Sequence, residues 1–328
     1  GGGAAGISAA IGAARHGARV MLLEKTSVTG GKATQAVVGT ICGAHYRSKD
    51  KASRYVTSGF AQEFCELLRI DSNTKPVAHY QGDLHFLPYD HFSFALIADQ
   101  LLAREPLLKT FLHATVQGVI TKDGHIESVS FLNFRESVNV KPAYVIDCTG
   151  ESLISRLAGI PTIGENEYQA SAIVFSLESI ITADPVQLSI AVLRAVTKAI
   201  AEEELDPELD KVSIVPGSVG RSNVKLKVAL NHPVNESSAN KTQLEKLGRF
   251  AVDRVSKVLI ARVDHFKNAH VGFVAPETGT RTGPISKGRY ILNKEDVLNC
   301  RTFDDGIAKG AWPIEMWEPG KNACLEFF

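Results

Sequence analysis

The sequence predicts an α/β fold in which a three-layer core carries an inserted α+β lobe. Three observations lead there. Gly1, Gly3 and Gly6 have the spacing of a tight turn that opens a helix. A short apolar run, Arg19-Val20-Met21-Leu22-Leu23, follows that helix and ends on an acid, Glu24. Residues 165–275 then change character, with strands that alternate and long amphipathic helices instead of small-residue helices and buried runs.

Residues 7–16 are rich in small apolar side chains suited to a helix pressed tightly on a sheet, and Gly17 is a natural stop. Residues 19–24 read as a buried parallel strand. Helical stripes follow at 57–70 (Phe60, Phe64, Leu67, Leu68) and 91–104 (Phe94, Ile97, Leu101, Leu102), with a hairpin pattern from His79 to Pro88 between them. From Phe111 to Ile146 the pattern is β, with Asp123-Gly124 as a hairpin turn. Its last strand, Ala143 to Ile146, runs into Asp147-Cys148-Thr149-Gly150. In the lobe, Ala170–Leu177 and Val224–Leu230 read as strands and Pro185–Glu204 as a helix. Thr242–Phe266 reads as a long helix with Leu244, Leu247, Phe250, Val255, Leu259 and Val263 on its apolar side. Asn235–Asn240 is the expected flexible stretch. The core therefore comprises 1–164 and 276–328, and the lobe 165–275.

Composition narrows the function classes. Apolar residues make up 44% and charged residues 22% of the 328, an ordinary globular balance. Acidic and basic residues number 36 each, which gives no attraction for nucleic acid. No apolar run approaches the roughly 20 residues that span a bilayer. Five widely spaced cysteines without a C-x-x-C pair argue against a disulfide framework or structural zinc, and no metal is expected. They point to a reducing, cytoplasmic setting. The chain starts inside the glycine motif and stops at Cys324-Leu325-Glu326-Phe327-Phe328, which reads as an internal fragment of a longer polypeptide.

The glycine spacing gives each residue a task. Gly1 permits the turn, Gly3 lets backbone approach a pyrophosphate, and Gly6 lets the helix pack closely on the sheet. The helix N-terminus offers unpaired N–H groups to phosphates. Glu24, eighteen residues beyond Gly6, is placed to accept ribose hydroxyls. A second doublet, Gly30-Gly31, suits a cofactor that continues inward past the acid, which favours FAD over a nicotinamide nucleotide. No second G-x-G-x-x-G occurs, so no dedicated NAD(P)H unit is expected.

Gly1 to Thr34 resembles the FAD-binding motif of the glutathione-reductase structural class, and more specifically the FAD-dependent oxidoreductases related to fumarate reductase flavoproteins. Similar segments recur in Val145–Gly150 with Leu157-Ala158-Gly159-Ile160-Pro161, in Tyr168–Ser171, and in Gly279-Thr280-Arg281, Gly288-Arg289-Tyr290, Glu295–Leu298 and Ala308–Ile314. The resemblance implies a Rossmann-like FAD-binding core and an inserted substrate lobe. It implies that Gly1, Gly3 and Gly6 face the pyrophosphate, and that Glu24 meets the adenosine ribose. Lys25, Gly30, Gly31 and Thr34 would line the path to the ribityl chain, Val116 would read the adenine through its backbone, and Thr149 and Gly150 would close over the far side. Lys25 reads equally as a solvated lysine after a strand. Family members often carry Arg-Glu-Ser-Arg-Arg where this chain has Arg281-Thr282-Gly283-Pro284-Ile285, so only Arg281 transfers. They also carry a strand before the first glycine and a segment after the Trp-Pro region, neither of which this chain contains.

For catalysis, Cys42 and His45 follow the segment expected along the flavin ring, where a thiol or imidazole can exchange protons. The competing reading of Cys42 is a packing residue. Arg281 is either a fork for a substrate carboxylate or an ordinary ion-pair residue. Trp312 and Trp317 read as packing residues. The expected activity is hydride transfer between a small organic substrate and FAD, with an external electron acceptor or donor closing the cycle. The rival readings are an NAD-dependent dehydrogenase and a non-catalytic nucleotide-binding fragment.

Overall fold

Burial of a small-residue helix against a parallel strand pair organises the first half of the chain. The computed structural model describes residues 1–49, 54–78, 82–164, 168–235, 237–318 and 324–327. Helix α1 (Ala4–Arg15) buries Ile7, Ala10, Ile11 and Ala14, the stripe that its helical spacing puts on one side. Strand β1 (Val20–Leu23) follows, then a short helix α2 (Lys32–Gln35), strand β2 (Thr40–Cys42) and helix α3 (Phe60–Asp71). Strands β3 (Val77–Ala78) and β4 (His85–Pro88) join β2 in a small antiparallel sheet of order β2-β4-β3. Residues 79–81, where the hairpin was expected to begin, lie outside the described residues. Helix α4 (His91–Ala103) starts where Asp90 accepts the amides of Phe92 and Ser93. It leads into β5 (Leu108–Phe111), which pairs in parallel with β1.

The expected helical stripes form one core. Phe64 and Leu68 of α3 meet Phe94, Ile97 and Leu101 of α4, together with Ile7, Ile11 and Leu22. β1 departs from expectation in one respect. Met21 is exposed rather than buried, because β5 is the one neighbour of β1 among the described residues. An antiparallel meander follows, β6 (Ala114–Lys122), β7 (His125–Asn133) and β8 (Glu136–Val140), turning at Asp123-Gly124. Residues 143–146 do not form the expected strand. Extended backbone becomes a strand only through a hydrogen-bonded partner, none of the described residues supplies one, and Tyr144 and Ile146 are exposed. After α5 (Leu153–Leu157) and β9 (Thr162–Ile163), residues 165–167 lie outside the described residues, and with them the expected boundary.

A second core surrounds β10 (Ser171–Glu178). Helix α6 (Pro185–Ala201) and strand β11 (Val212–Ile214) precede β12 (Asn223–Leu230), helix α7 (Ser238–Arg262) and β13 (His270–Val274). The sheet is antiparallel, in the order β11-β12-β10-β13. Register pairs Ile173 with Val228, Phe175 with Leu226 and Leu177 with Val224, which places all six on one face. That face packs with Leu188, Val192 and Val196 of α6 and Leu244, Val255 and Leu259 of α7. The opposite face carries Lys225 and Lys227. Phe250 stands out of this core at 67% exposure, so the apolar stripe of α7 is narrower than its sequence suggests. Asn235–Asn240 is also more ordered than expected of a flexible stretch, Glu236 lying outside the described residues. Ser237 caps α7 through the Asn240 amide, and the Asn240 side chain bonds Asn235 and Pro233. The chain ends in β14 (Ile285–Ser286), paired with β9, then α8 (Lys294–Leu298), β15 (Ile314–Met316) and β16 (Cys324–Glu326).

The two phenylalanines give a test of this packing. Phe175→Ala should cost about 3–5 kcal/mol because it opens a cavity in a closed core, whereas Phe250→Ser should stay within about 0.5 kcal/mol. Denaturant midpoints of the two variants check the difference.

Candidate functional site

Three segments distant in sequence meet where their glycines lack side chains. The backbone of Gly2-Gly3 runs beside Gly30-Gly31: Gly30 N donates to Gly2 O at 2.7 Å, and Gly3 and Gly30 form a parallel bridge. A Cβ on Gly31 would stand 3.1 Å from the Gly3 Cα, and Gly31 has φ 55°, a conformation that favours glycine. A Cβ on Gly6 would lie 1.8 Å from Gly1 O, and one on Gly1 would lie 2.4 Å from Cys148 O. Thr34 braces the doublet by donating to Thr29 O (2.9 Å) and Gly31 O (3.2 Å). No side chain caps the N-terminus of α1, and its first turn holds no acid.

Glu24 is buried at the end of β1. Its Oε2 accepts the Gly2 amide at 2.6 Å, and its Oε1 accepts both the amide (2.8 Å) and the hydroxyl (3.0 Å) of Thr26. A carboxylate has about four acceptor positions, so one remains on Oε2, beside the glycine turn. The chain that leaves Glu24 is held by the start of β6, where Ala114 N donates to Glu24 O at 2.8 Å. Val116 stands two residues further along that strand. Lys25 is exposed.

On the other side of Gly1, Asp147 ties the Asp147–Gly150 segment to α5. Its carboxylate accepts the Thr149 amide and hydroxyl (3.1 and 2.7 Å) and the Ser155 amide and hydroxyl (both 3.0 Å). Burial raises its pKa, but these hydrogen bonds outweigh burial and hold it below the usual carboxylate range. The Thr149 hydroxyl also accepts the Leu153 amide, so it is occupied within the protein. Among the described residues no group of three or more His, Cys, Asp or Glu side chains is arranged to hold a metal ion.

A family model described as FAD dependent oxidoreductase matches residues 1–326. The chain belongs to this family. A search of curated proteins finds no match. Solved structures with a similar fold include a geranylgeranyl bacteriochlorophyll reductase-like protein from Thermoplasma acidophilum. It is 15% identical, with 87% of this chain and 64% of that one covered and a TM-score of 0.46. They also include the p-nitrophenol 4-monooxygenase PnpA from Pseudomonas putida DLL-E4 (11%, 87% and 67%, 0.49) and the myxobacterial chondrochloren halogenase CndH (14%, 86% and 62%, 0.44). The chain thus spans about two thirds of the length of these proteins.

FAD, the cofactor of the family, fits what the residues present. The Gly3–Gly31 cradle is one that any Cβ would fill, the helix N-terminus is uncapped, and Glu24 retains an acceptor position.

Cys42 ends β2, next to Gly43, whose carbonyl accepts the Ala311 amide at 3.1 Å and which packs against Trp312; its thiol lies within electrostatic reach of Arg281 and of two residues the sequence pattern did not single out, Lys227 and Glu315. Cys42 keeps open surface but is enclosed by protein, as in a concave site. Burial pushes its thiol up to about 11, and a hydrogen bond with Thr40, then Lys227 and Arg281, pull it down only partly. Arg281 is carried there by a late segment anchored on both sides. Lys32 Nζ reaches Glu277 Oε2 and Thr278 O (3.0 and 3.1 Å), Glu245 accepts the Thr278 amide and hydroxyl, and Gly279 bridges Ala172. His45 does not join this group. It is buried beside Tyr55, with ring centroids 4.5 Å apart, and neither ring nitrogen has a hydrogen-bond partner among the described residues. Burial, with His85 nearby, lowers its pKa, so it is held neutral.

Gly6→Ala should abolish retention of flavin on purification, because the new methyl would overlap Gly1 O; the absorbance spectrum of the purified variant tests this. His45 yields a pH prediction. The folded ring binds its proton less tightly than the unfolded ring, so stability is full above the ordinary imidazole pKa of about 6.5. Below it, stability falls by up to about 1.4 kcal/mol per pH unit for one proton. Denaturant midpoints between about pH 7.5 and pH 5.5 should fall for the wild type, and His45→Phe should flatten that slope.

Proposed function

We propose that this FAD-dependent oxidoreductase transfers hydride between a small organic substrate and its flavin, with an external electron acceptor or donor completing the cycle. The observation that carries this reading is the position of Cys42. The chain leaves the Gly30-Gly31 cradle, passes α2, and presents a protonated, surface-reaching thiol within electrostatic reach of Arg281 and Lys227. Bound FAD supplies the two-electron chemistry. Gly1, Gly3 and Gly6 with the α1 N-terminus are assigned to its pyrophosphate, Glu24 to its ribose, and Gly30, Gly31 and Thr34 to the path inward. Val116, Thr149 and Gly150 are assigned to the far ends of the cofactor through backbone groups, the Thr149 hydroxyl being already committed. Lys25 reaches solvent beside Glu151 and takes at most a screened phosphate contact.

The protein's own contribution to the chemistry is proton control and exclusion of water. A thiol with a pKa of about 11 keeps its proton at neutral pH, so Cys42 acts as a hydrogen-bond or proton donor and not as a thiolate nucleophile. His45, neutral and enclosed, supports the β2–β4 region from behind and is assigned no proton-transfer role.

Anaerobic mixing of the flavin-loaded protein with a panel of small hydroxy acids, alcohols and amines tests the reading. At least one class should bleach the visible flavin band stoichiometrically without oxygen, and Cys42→Ser should slow that step by about 10²-fold or more while retaining flavin. Bleaching by NADH or NADPH alone would assign the chemistry to a nicotinamide-driven reaction instead.

A further inference from the structure

The cluster around Trp317 holds more positive charge than it can pair. Lys227 projects from the face of β12 opposite the lobe core, and its Nζ lies 5.3 Å from the Trp317 ring centroid. The Arg281 guanidinium carbon lies 4.5 Å from the same centroid. Arg281 Nε donates to Ala170 O at 3.0 Å, and among the described residues no acceptor meets its two terminal nitrogens or Lys227 Nζ. Among the described residues the carboxylate in electrostatic reach, Glu315, is engaged elsewhere: Trp312 Nε1 donates to its Oε2 at 2.7 Å and Trp317 Nε1 to its Oε1 at 2.5 Å. Neither cation comes within the 4.0 Å of an ion pair with it. Cys42, a neutral thiol, adds no charge. The Trp317 ring offsets part of this charge, but among the described residues two cations face one anion, an excess of one positive charge in a partly dehydrated site that is costly unless something completes it.

The site is also rigid. Trp317 N donates to Gln169 Oε1 (2.9 Å) and Ala170 N donates to Trp317 O (2.8 Å), which locks the indole to the start of β10. Held donors of this kind recognise an anion with little reorganisation.

We propose that Lys227 and Arg281, mounted against Trp317 beside Cys42, bind the carboxylate of a small organic acid and so define the substrate class of this oxidoreductase. The inference rests on the proposed flavin reaction at Cys42 but is tested without it. One carboxylate matches the excess charge of one, and it offers two oxygens to a guanidinium fork and an ammonium together. A phosphate dianion would overcompensate. The cavity of about 230 Å³ behind Trp317 is not this site. Its rim carries Glu208, Asp210 and Glu318 against Lys211 alone, which repels an acid.

The chain has two tryptophans, and both belong to the cluster, so intrinsic fluorescence reports on it directly. Propionate and benzoate should change the tryptophan emission saturably, whereas propionamide, benzamide and inorganic phosphate should not. Lys227→Gln and Arg281→Gln should each weaken propionate binding by about tenfold or more. Lys227→Met separates binding from folding: relieved of an unpaired cation, it should melt about 2–4 °C higher and lose the propionate response. Equal responses to acid and amide, a preference for phosphate, or carboxylate responses unchanged in the variants would overturn the proposal. A Lys227→Met protein of lower melting temperature would assign Lys227 a structural role and would also overturn it. A preparation that binds propionate but holds no flavin would reject the flavin reading alone.

Discussion

The structure depends on backbone meeting backbone at the opening glycines. Gly1 and Gly6 face each other too closely for a side chain on Gly6, Gly31 meets the Gly3 backbone closely, and Gly3 bridges Gly30. That contact sets the distance between α1 and the strand pair, and so shapes the core of Ile7, Ile11 and Leu22. It also joins segments that the chain separates widely, with Cys148 pressed against Gly1 and the Gly30 amide bonded to Gly2 O. The bare surface that permits close packing is the same surface that suits a pyrophosphate. At Gly6 and Gly31 the close backbone packing leaves no room for a side chain.

From this junction the position of Arg281 follows by a chain of supports. Lys32 holds Glu277 and Thr278, Glu245 of α7 holds Thr278, and Gly279 bridges Ala172, so the segment bearing Arg281 is fixed between the glycine cradle and the lobe sheet. The lobe sheet is buried on both faces of β10. One face meets α6 and α7. The other meets the first half of the chain at Asp90, which Lys225 bonds, and the late segment at Trp317, which Lys227 approaches. Asp90 is also the cap of α4, so a single carboxylate both starts a helix and docks it to the lobe.

Much of this was legible in the sequence wherever a short range of residues carries the physics. The G-x-G-x-x-G spacing, the run ending on Glu24 and the stripes of α3 and α4 depend on neighbours within a turn or two, and the structure places them as their spacing implies. Features that depend on distant segments were not legible. Alternation in β12 separates Lys225 and Lys227 from Val224, Leu226 and Val228, but a second buried face and a solvated one look alike in sequence. Trp312 and Trp317 read as packing residues because their partner, Glu315, matters only once two indoles converge on it. The Asp147 knot needed Ser155, on a helix too short to announce itself. Tyr144 to Ile146 failed for the complementary reason: an apolar pattern states what a strand would bury and says nothing of its partner.

The excess charge at Trp317 is where stability and function part. A protein selected for stability alone would replace Lys227 by an apolar residue, since its ammonium is held away from water and pairs with no anion among the described residues. Arg281 differs, because its Nε bond to Ala170 gives it a structural share. The share of Lys227 is only its cation–π contact with Trp317; beyond that it adds positive charge. Burial lowers the pKa of both cations, a sign that the protein holds the charge against its own solvation preference. Such a charge is most simply understood as half of an interaction whose other half comes from outside the chain.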